Sequence, residues 1–380
     1  MEGSTSHELA LVMSGGGARA AYQAGCLSAI ARRFPLVRFP ILTGVSAGAI
    51  NAAFLATRGG PLASHEQELV ELWTGLEPEK VFRVGSLAIA RNVLRTGLKL
   101  VSGGALHTPR SYALVDTAPL REFLTEKVGG PQGRLRGIAD NLALGELRAM
   151  AVTASSYTTG QSVTWVEGRD IDHWERAHRK SARCEMTVEH ILASASLPLF
   201  FPAIQVGEAW YGDGGIRLTA PLSPAVHLGA SKIVAISTRY ARTRAEADRA
   251  AIVSYPPPAQ IVGVIFNAIF LDLFDADALT LERVNSMIER MTPEQRGPLR
   301  QVDLLVLRPS QDLGRLANEY EARLPRAFRF MTRGLGTRET KSNDLLSLVM
   351  FQSDYLARLV ELGDRDAQAR MDEIERFFST

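Results

Sequence analysis

The hydrophobic positions near the start of the chain fall in short runs that end at glycine-rich turns. The apolar runs Leu9 to Met13 and Phe39 to Thr43 are typical of buried strands. The segments Ala18 to Arg33 and Ala47 to Thr57 have helical composition, and each follows one of these turns. The order strand, turn, helix, repeated once, predicts a parallel sheet with crossover helices. The expected fold class is therefore α/β.

Further elements are predicted downstream, and they bear on the number of domains. Val302 to Leu307 is a strand candidate, and if it joins the same sheet, the preceding segment is an insertion. Beyond Pro309 the chain is charged and mainly helical. The other predicted strands are Arg148 to Ser155, Ser162 to Val166, a hairpin within Pro202 to Trp210, and Lys232 to Ser237; the other helices are Glu66 to Trp73, Pro119 to Lys127 and Thr187 to Ser196.

Composition sets limits on the function class. The 380 residues are 46% hydrophobic and 22% charged, as in an ordinary globular enzyme. A formal net charge of +2 gives no reason to expect a nucleic-acid partner. Only Cys26 and Cys184 are present, which favours a reducing, cytoplasmic setting. The sequence predicts no secretory signal at its start and no uninterrupted apolar run long enough to span a membrane.

The first candidate for chemistry is the serine in Gly44-Val45-Ser46-Ala47-Gly48. This turn follows a predicted strand and opens a predicted helix, which is the context that a nucleophile elbow needs. Small flanking residues allow a sharp turn that presents Ser46, and the helix amino terminus favours developing negative charge. A plain helix cap explains the same serine, since serine is a preferred cap residue.

Gly15-Gly16-Gly17 also lies between a strand and a helix. Glycines there let backbone N–H groups point at a ligand, and aimed at Ser46 they would form an oxyanion hole. Arg19 would add positive charge or hold the loop. The spacing of Gly15, Gly17 and Ala20 also fits a dinucleotide-binding fingerprint. That alternative is weakened because no Asp or Glu occurs from Leu9 to His65.

Asp213 lies between glycines in Tyr211-Gly212-Asp213-Gly214-Gly215. A tight turn explains this pattern when it is taken alone. A serine nucleophile needs a base, however, and this carboxylate is well presented. A triad with His227 is formally possible, although its surroundings read as a short helix that packs the imidazole. We expect no metal, because His173, His178, Cys184 and His190 show no regular ligand spacing.

Together these motifs resemble the patatin-like phospholipase family. The family's oxyanion loop, serine elbow and aspartate motif correspond here to Gly15–Ala20, Gly44–Gly48 and Asp213–Gly215. The segment Ser194–Pro198, followed by Phe200-Phe201-Pro202, is also similar to the family's stretch before its aspartate. One departure is Ala20, where the family has glycine.

The resemblance implies a patatin-like three-layer α/β/α fold with a mainly parallel sheet and a helical extension. It implies an acyl hydrolase domain at residues 7–310 and a charged extension at 311–380 packed on it. It also implies a Ser46–Asp213 dyad that cleaves carboxylic esters of lipids, as a phospholipase A or lysophospholipase does, without a cofactor. The implied oxyanion donors are Gly15, Gly16, Gly17 and Ala18, with Arg19, Gly44, Gly48 and Gly214 in support.

Two other function classes stay open. An acyltransferase or general carboxylesterase would use the same dyad, and a non-catalytic lipid- or nucleotide-binding protein would not need it. Two surface features bear on lipid contact. Phe266, Phe270 and Phe274 share one helix face within Ile261 to Phe274, which is either core or a lid that touches the membrane. Arginines at 323, 326, 329 and 333 share another face, which anionic headgroups would attract if it is not simply solvated. Transient, peripheral membrane contact is therefore expected.

Overall fold

The computed structural model describes the chain except for residues 1–7, 84–112, 249–254, 271, 325, 335, 338–339, 341 and 380. In the described part, ten strands form one sheet in the order β10-β9-β1-β2-β3-β4-β6-β5, with β8 joining β3 and β7 joining β8. Five consecutive strands, from β10 to β3, are mutually parallel. The strands are β1 Leu9–Met13, β2 Ile41–Val45, β3 Ala149–Ser156, β4 Ser162–Gly168, β5 Glu175–Arg176, β6 Arg179–Arg183, β7 Ile204–Val206, β8 Ala209–Asp213, β9 Lys232–Ile236 and β10 Asp303–Leu307.

The helices cover both faces of this sheet. They are α1 Ala21–Arg33, α2 Ala47–Arg58, α3 Glu66–Thr74, α4 Pro78–Val81, α5 Ala118–Lys127, α6 Ile138–Leu144, α7 Val188–Ser194, α8 Ser223–His227, α9 Arg244–Ala247, α10 Pro258–Phe270, α11 Asp272–Ile288, α12 Pro293–Arg296, α13 Leu313–Tyr320, α14 Arg326–Gly334, α15 Asp344–Val349, α16 Ser353–Ala369 and α17 Met371–Ser379.

The alternation of side chains along the central strands produces the layers. In β1, Leu11 and Met13 pack into one buried cluster, which α1, α2 and α16 cover. Ala10 and Val12 point the other way, into a cluster that α8 and α11 cover. The predicted three-layer α/β/α arrangement with a mainly parallel sheet is therefore confirmed.

One local prediction near the sheet was wrong, and one element was missed. The first helix was expected from Ala18, but Gly17–Ala20 forms a 3-10 turn and the α-helix begins at Ala21. The hairpin of β5 and β6 was not predicted, because Arg179–Arg183 is mostly polar and only partly buried and so carries no apolar signal.

The strand predicted at 302–307 does join the sheet. β10 pairs with β9 in parallel, from Asp303 beside Lys232 to Leu307 beside Ile236. Residues 237–302, with α10 and α11, therefore form an insertion between two neighbouring strands rather than a linker.

The phenylalanines at 266, 270 and 274 do not form an exposed face. Phe266 and Phe274 are buried in two different clusters, and the side chain of Phe270 lies outside the described residues. α10 instead exposes Ile261, Val264 and Ile265. In the described residues one stretch, Pro258–Ile288, is long and apolar enough to cross a membrane by length and composition, and 25% of its most apolar window is buried.

The predicted arginine face is also divided. Arg323 belongs to the 3-10 turn Glu321–Arg323 and pairs with Asp354, whereas Arg329 lies on α14 and donates to the Ala322 carbonyl at 2.6 Å. The side chain of Arg326 lies outside the described residues. The four arginines are therefore not carried by one helix.

Candidate active site

Ser46 occupies the sharp turn between β2 and α2. Its backbone has φ 54° and ψ −131°, a conformation that residues other than glycine rarely adopt. The turn is fixed by hydrogen bonds, because the Ser46 amide donates to Ser194 Oγ at 2.9 Å and that hydroxyl donates to the Thr153 carbonyl at 2.7 Å. A strained residue held in this way presents its side chain above the carboxyl edge of the sheet.

The two glycines of the elbow are required by close backbone approach. A Cβ on Gly44 would overlap the Gly48 carbonyl oxygen. One on Gly48 would overlap the carbonyl oxygens of Met13 and Ser14. Both glycines therefore let the elbow pack directly against the end of β1.

The Gly15–Gly17 loop lies against the serine. A Cβ on Gly15 would approach the Ser46 Cβ to 2.8 Å, and Gly16 and Gly17 both have positive φ. Among the described residues, the amides of Gly16 and Gly17 donate no hydrogen bond. Thr238 Oγ1 donates to the Gly15 carbonyl at 2.5 Å and so anchors the loop. Unpaired amide donors beside a presented hydroxyl are what an oxyanion hole needs.

Sheet pairing brings Asp213 to the same edge. β2 pairs with the first part of β3, up to Val45 beside Thr153, and β8 pairs with the rest, where Asp213 lies beside Ala154. β8 thus pairs with β3 beyond the point where the pairing of β2 ends, which is at the residue before Ser46. A Cβ on Gly214 would overlap the Thr153 carbonyl oxygen, so this glycine lets the turn lie flat on β3.

Asp213 is a fully buried carboxyl group with few partners. Burial raises its pKa to about 7, and the nearby Ser46 hydroxyl and the Gly215 amide limit that rise. Oδ1 accepts from the Gly215 amide at 2.9 Å. Oδ2 has no partner of ordinary hydrogen-bond geometry in the described residues, so the approach of the Ser46 hydroxyl is looser than a formed bond. Catalytic hydrogen bonds are often long in the absence of substrate.

An apolar cavity of about 670 Å³ opens at Ser46. Gly16 and Gly17, whose amides are unpaired among the described residues, line the cavity beside the serine. The remaining lining is made almost entirely of hydrophobic side chains, from α2, α3, α5, the loop after α7 and the segment around α15: Ala47, Ile50, Leu72, Trp73, Leu76, Val81, Leu120, Phe123, Ala195, Leu197, Phe201, Leu348, Val349 and Phe351.

Comparison with known families decides what kind of protein carries this site. A model of the patatin-like phospholipases matches residues 11–226, more than half of the chain. The chain belongs to the patatin-like phospholipase family. The matched region contains Ser46, Asp213 and both glycine loops, and the family implies a lipid hydrolase. A comparison with curated protein sequences gives no match.

Solved structures that match this patatin-like chain share little sequence with it. VipD from Legionella pneumophila is 13% identical, with a TM-score of 0.40, over 97% of this chain and 67% of VipD. The human GIVD cytosolic phospholipase A2, in complex with methyl gamma-linolenyl fluorophosphonate, is 12% identical with a TM-score of 0.45. That match covers 97% of this chain, which spans only 58% of the human enzyme. Full-length ExoU from Pseudomonas aeruginosa, in complex with SpcU, is 19% identical over 52% of this chain and 40% of the matched chain, with a TM-score of 0.26.

The other residues of the oxyanion loop are buried next to the site. Ala18 and Ala20 have no solvent exposure, and Arg19 is 3% exposed. The Ala20 carbonyl accepts from Asn51 Nδ2 at 3.3 Å, and the alanine methyl group, where the family has glycine, is packed in the core. The Arg19 guanidinium pairs with Asp344 at 2.7 Å, in a part of the chain where the sequence indicated no site residue.

His227, the third member of the alternative triad, lies in other surroundings. Its ring stacks on Trp174 at 4.7 Å, and burial together with Arg179 and Arg176 lowers its pKa. None of its contacts in the described part of the chain involves Ser46 or Asp213. Within the residues that the structure describes, no group of three or more His, Cys, Asp or Glu side chains could hold a metal ion.

Sequence reasoning missed the polar side chains that hold the site together. Ser194 and Thr238, both fully buried, fix the elbow and the glycine loop. Ser194 begins a stretch that resembles the family, which was a signal for importance but not for this role. Thr238 follows β9 at the same edge of the sheet and gives no local signal at all.

Proposed function

We propose that this protein is a serine lipid acyl hydrolase of the phospholipase A or lysophospholipase type, with Ser46 as nucleophile and Asp213 as base. The observation that carries the proposal is the arrangement at the cavity mouth. A strained, presented serine adjoins a buried aspartate whose pKa is raised to about 7, and the serine lines an apolar cavity. A carboxylate with that pKa is a far better base near neutral pH than an ordinary aspartate.

The proposed reaction has two halves. Ser46 Oγ attacks the ester carbonyl carbon while Asp213 takes the hydroxyl proton, and the negative charge that forms on the carbonyl oxygen is stabilised by amides of the loop from Gly15 to Ala18. Collapse breaks the ester bond, and Asp213 returns its proton to the leaving alcohol. A water molecule, deprotonated by Asp213, then attacks the acyl-serine, and collapse releases the free acid and restores the Ser46 hydroxyl.

The lining of the cavity supports a lipid acyl ester as substrate. Its walls offer no charged group to a substrate, so the group it accepts best is a hydrocarbon chain. An acyltransferase or general carboxylesterase would use the same groups. The two are distinguished by whether an added alcohol competes with water for the acyl-serine.

The dyad is tested by hydrolysis of a chromogenic short-chain ester. We expect Ser46→Ala and Asp213→Asn each to lower kcat by about 10³-fold or more, and His227→Ala to keep wild-type activity. In the wild type, kcat/KM should rise as the pH increases through about 7, because Asp213 acts as a base only when ionised. Equal loss in a stably folded His227→Ala would favour the triad instead. No turnover in the wild type, with or without lipid, would favour a binding protein.

We also propose that the protein contacts lipid surfaces peripherally, through α10. Ile261, Val264 and Ile265 are 43%, 57% and 48% exposed, so the helix presents an apolar side to solvent. A bilayer is the occupant that fits, since the proposed substrates reside there. The cytoplasmic location remains a proposal, supported by the two unpaired cysteines.

This surface is tested with vesicles of zwitterionic and anionic phospholipid. The double variant Val264→Ser/Ile265→Ser should lower the ratio of vesicle hydrolysis to soluble-ester hydrolysis severalfold. Leu36→Ser, which changes an 82% exposed residue elsewhere, should leave that ratio unchanged. A ratio that is the same in all three proteins would contradict lipid contact at α10.

For the domains, we propose an acyl hydrolase domain at residues 7–310 and a helical extension at 311–380 packed on it. Close contact between α1 and α16 supports the packing. A Cβ on Gly25 would overlap the Val360 carbonyl oxygen, and one on Gly363 would overlap that of Tyr22. The two helices thus approach each other at a pair of glycines, with Cys26 Sγ donating to the Gly363 carbonyl at 3.3 Å.

A further inference from the structure

We propose that the C-terminal extension supplies the wall of the acyl cavity that selects chain length, and that Arg19 holds this wall in place. The wall consists of Leu348, Val349 and Phe351, at the end of α15 and just after it. These residues lie more than a hundred positions beyond the region that the family model matches. The inference rests on the proposed function, since it assigns a substrate-binding role within the same site.

The guanidinium of Arg19 is bound entirely by α15. Nη2 pairs with Asp344 Oδ1 at 2.7 Å, and Nε donates to Ser347 Oγ at 2.8 Å. In the described part of the chain, all hydrogen bonds of this side chain go to these two residues. Arg19 is 3% exposed, so its charge depends on these partners, and the oxyanion loop and α15 are fixed to each other.

The backbone of the oxyanion loop is in direct contact with the backbone of α15. Gly17 has φ 54°, and a Cβ there would overlap the Leu348 carbonyl oxygen. Gly17 and Leu348 both line the cavity that opens at Ser46. The position of the wall relative to the nucleophile is therefore set by the same loop that carries the proposed oxyanion donors.

Two further contacts keep α15 in register. Its amino terminus is capped by Asn343, whose Oδ1 accepts from the Leu346 amide at 3.1 Å. Asp344 Oδ2 accepts from Asn267 of α10 at 2.6 Å, so one carboxylate joins Arg19 to the apolar surface helix. Asp344 is accordingly a positioning residue, and it does not itself line the apolar cavity.

The size of each wall side chain sets the volume that remains in the cavity for an acyl chain. Val349 is 2% exposed and faces the cavity, and a larger side chain there takes up volume that a long acyl chain needs. One methylene more or less in an apolar pocket commonly changes selectivity by about 10- to 200-fold. Val349→Phe should therefore penalise long chains, whereas Val349→Ala should favour them.

The test uses two serine-reactive phosphonofluoridates on the full-length protein. They differ only in the alkyl chain on phosphorus, which is ethyl in one and dodecyl in the other. The readout is the ratio of dodecyl to ethyl labelling rates at Ser46. We expect Val349→Phe to lower this ratio about tenfold or more and Val349→Ala to raise it. Asp344→Asn should also lower it, because the wall loses its charged anchor. Val37→Phe, a matched change of a half-buried valine outside the cavity, should leave it unchanged.

The outcomes separate this inference from the proposed function. A wild-type protein that is labelled, with ratios that do not change in folded Val349→Ala and Asp344→Asn, overturns the assignment of the wall. An equal loss of both rates in Asp344→Asn shows a purely structural ion pair and overturns the role of Arg19. If no variant is labelled, Ser46 fails as nucleophile, and dodecanoate affinity measured by calorimetry then decides the wall. Weaker binding by Val349→Phe than by Val37→Phe supports it, and equal binding overturns it.

Discussion

Two cavities adjoin the loop from Gly15 to Arg19, and they differ in how their polar groups are satisfied. The apolar cavity of about 670 Å³ is lined by Gly16 and Gly17 and contains the strained Ser46. The second, about 1140 Å³, is lined by Arg19 and by a set of charged side chains. Among the described residues those charges pair with one another: Arg19 with Asp344, Arg239 with Asp272 and Asp275, and Arg242 with Asp312.

The difference shows that size does not identify the reactive site. In the larger cavity the carboxylates and guanidiniums neutralise each other, so little unpaired charge is left to bind a ligand. Within the part of the chain that the structure describes, the smaller cavity is lined by Gly16 and Gly17, whose amides are unpaired, and by Ser46, which adjoins the buried Asp213 with its unpartnered Oδ2. Unsatisfied polar groups at the edge of an apolar space are typical of a site prepared for a reaction.

Among the changes that test this comparison of the two cavities, Gly17→Ala has the largest expected effect, because it alters the loop that the two cavities adjoin. The added Cβ would overlap the Leu348 carbonyl oxygen, and φ is positive at this position, so the loop beside Ser46 must shift. We expect ester hydrolysis to fall by about 10²-fold or more, the scale of losing one oxyanion donor.

The matched control is Gly60→Ala, which also has positive φ but nothing within 4 Å of an added Cβ. It should cost about 1 kcal/mol of stability without loss of activity. A Gly17→Ala protein with activity within a few-fold of the wild type would contradict the proposed role of this loop.

The next effect concerns the stability cost of burying Asp213. Its folded pKa of about 7 lies above the unfolded value, so its contribution to stability is present at low pH and is lost as the pH rises through 7. Asp213→Asn removes this loss. The variant should therefore be more stable than the wild type at pH 8, by a few kcal/mol, with the difference shrinking toward pH 4.

Denaturant unfolding at both pH values measures this difference, and Ser46→Ala provides a control that keeps the carboxyl group. A stability difference between wild type and Asp213→Asn that does not change with pH would show that the carboxyl is not raised in pKa. The proposed base would then lose its main physical support.

A smaller effect is expected at the centre of the charged cavity. Asp275 accepts from both Arg239 and Arg308 and is partly buried. Asp275→Asn should destabilise the fold by about 1–2 kcal/mol, because two guanidiniums lose a charged partner. Thermal unfolding measures the loss. The ratio of long-chain to short-chain ester hydrolysis should stay at its wild-type value, and a changed ratio would mean that the charged cavity takes part in substrate binding.

The smallest effect is expected at the rim of the same cavity. Arg242 is 41% exposed and pairs with Asp312 at 3.3 Å. Arg242→Ala should change the free energy of unfolding by less than about 1 kcal/mol, since exposed ion pairs are well solvated. A loss as large as that of Asp275→Asn would show that the pairs of this cavity act as one network.

Local sequence patterns were sufficient for the elements that carry the candidate site. Apolar runs ending at glycines predicted β1 and β2, and the elbow at Ser46 lies where the strand-to-helix transition was expected. Steric demands explain this success, because at positions 44 and 48 any side chain larger than that of glycine would overlap the backbone. Elements without an apolar run were missed, as in the hairpin that includes Arg179–Arg183, because the prediction depended on hydrophobic pattern.

The exposed face of α10 could not be predicted from helical periodicity. Spacing alone placed Phe266 and Phe274 on one face, but it could not say whether that face meets the core or solvent. The structure buries both, Phe266 in one cluster and Phe274 in the other, and turns Ile261 and Val264 outward. The orientation of an apolar helix depends on its neighbours, which the local sequence does not specify.

The sequence by itself determined the family, the α/β class and the motifs around Ser46 and Asp213, because these depend on short-range steric and hydrophobic rules. The tertiary structure decided what surrounds them. Pairing of β8 with the end of β3 sets Asp213 at the same edge as Ser46, and burial there raises the pKa of that carboxyl. The ion pair of Arg19 with Asp344, more than three hundred residues apart, brings α15 to the cavity. Contacts over such separations arise from packing, and no local pattern encodes them.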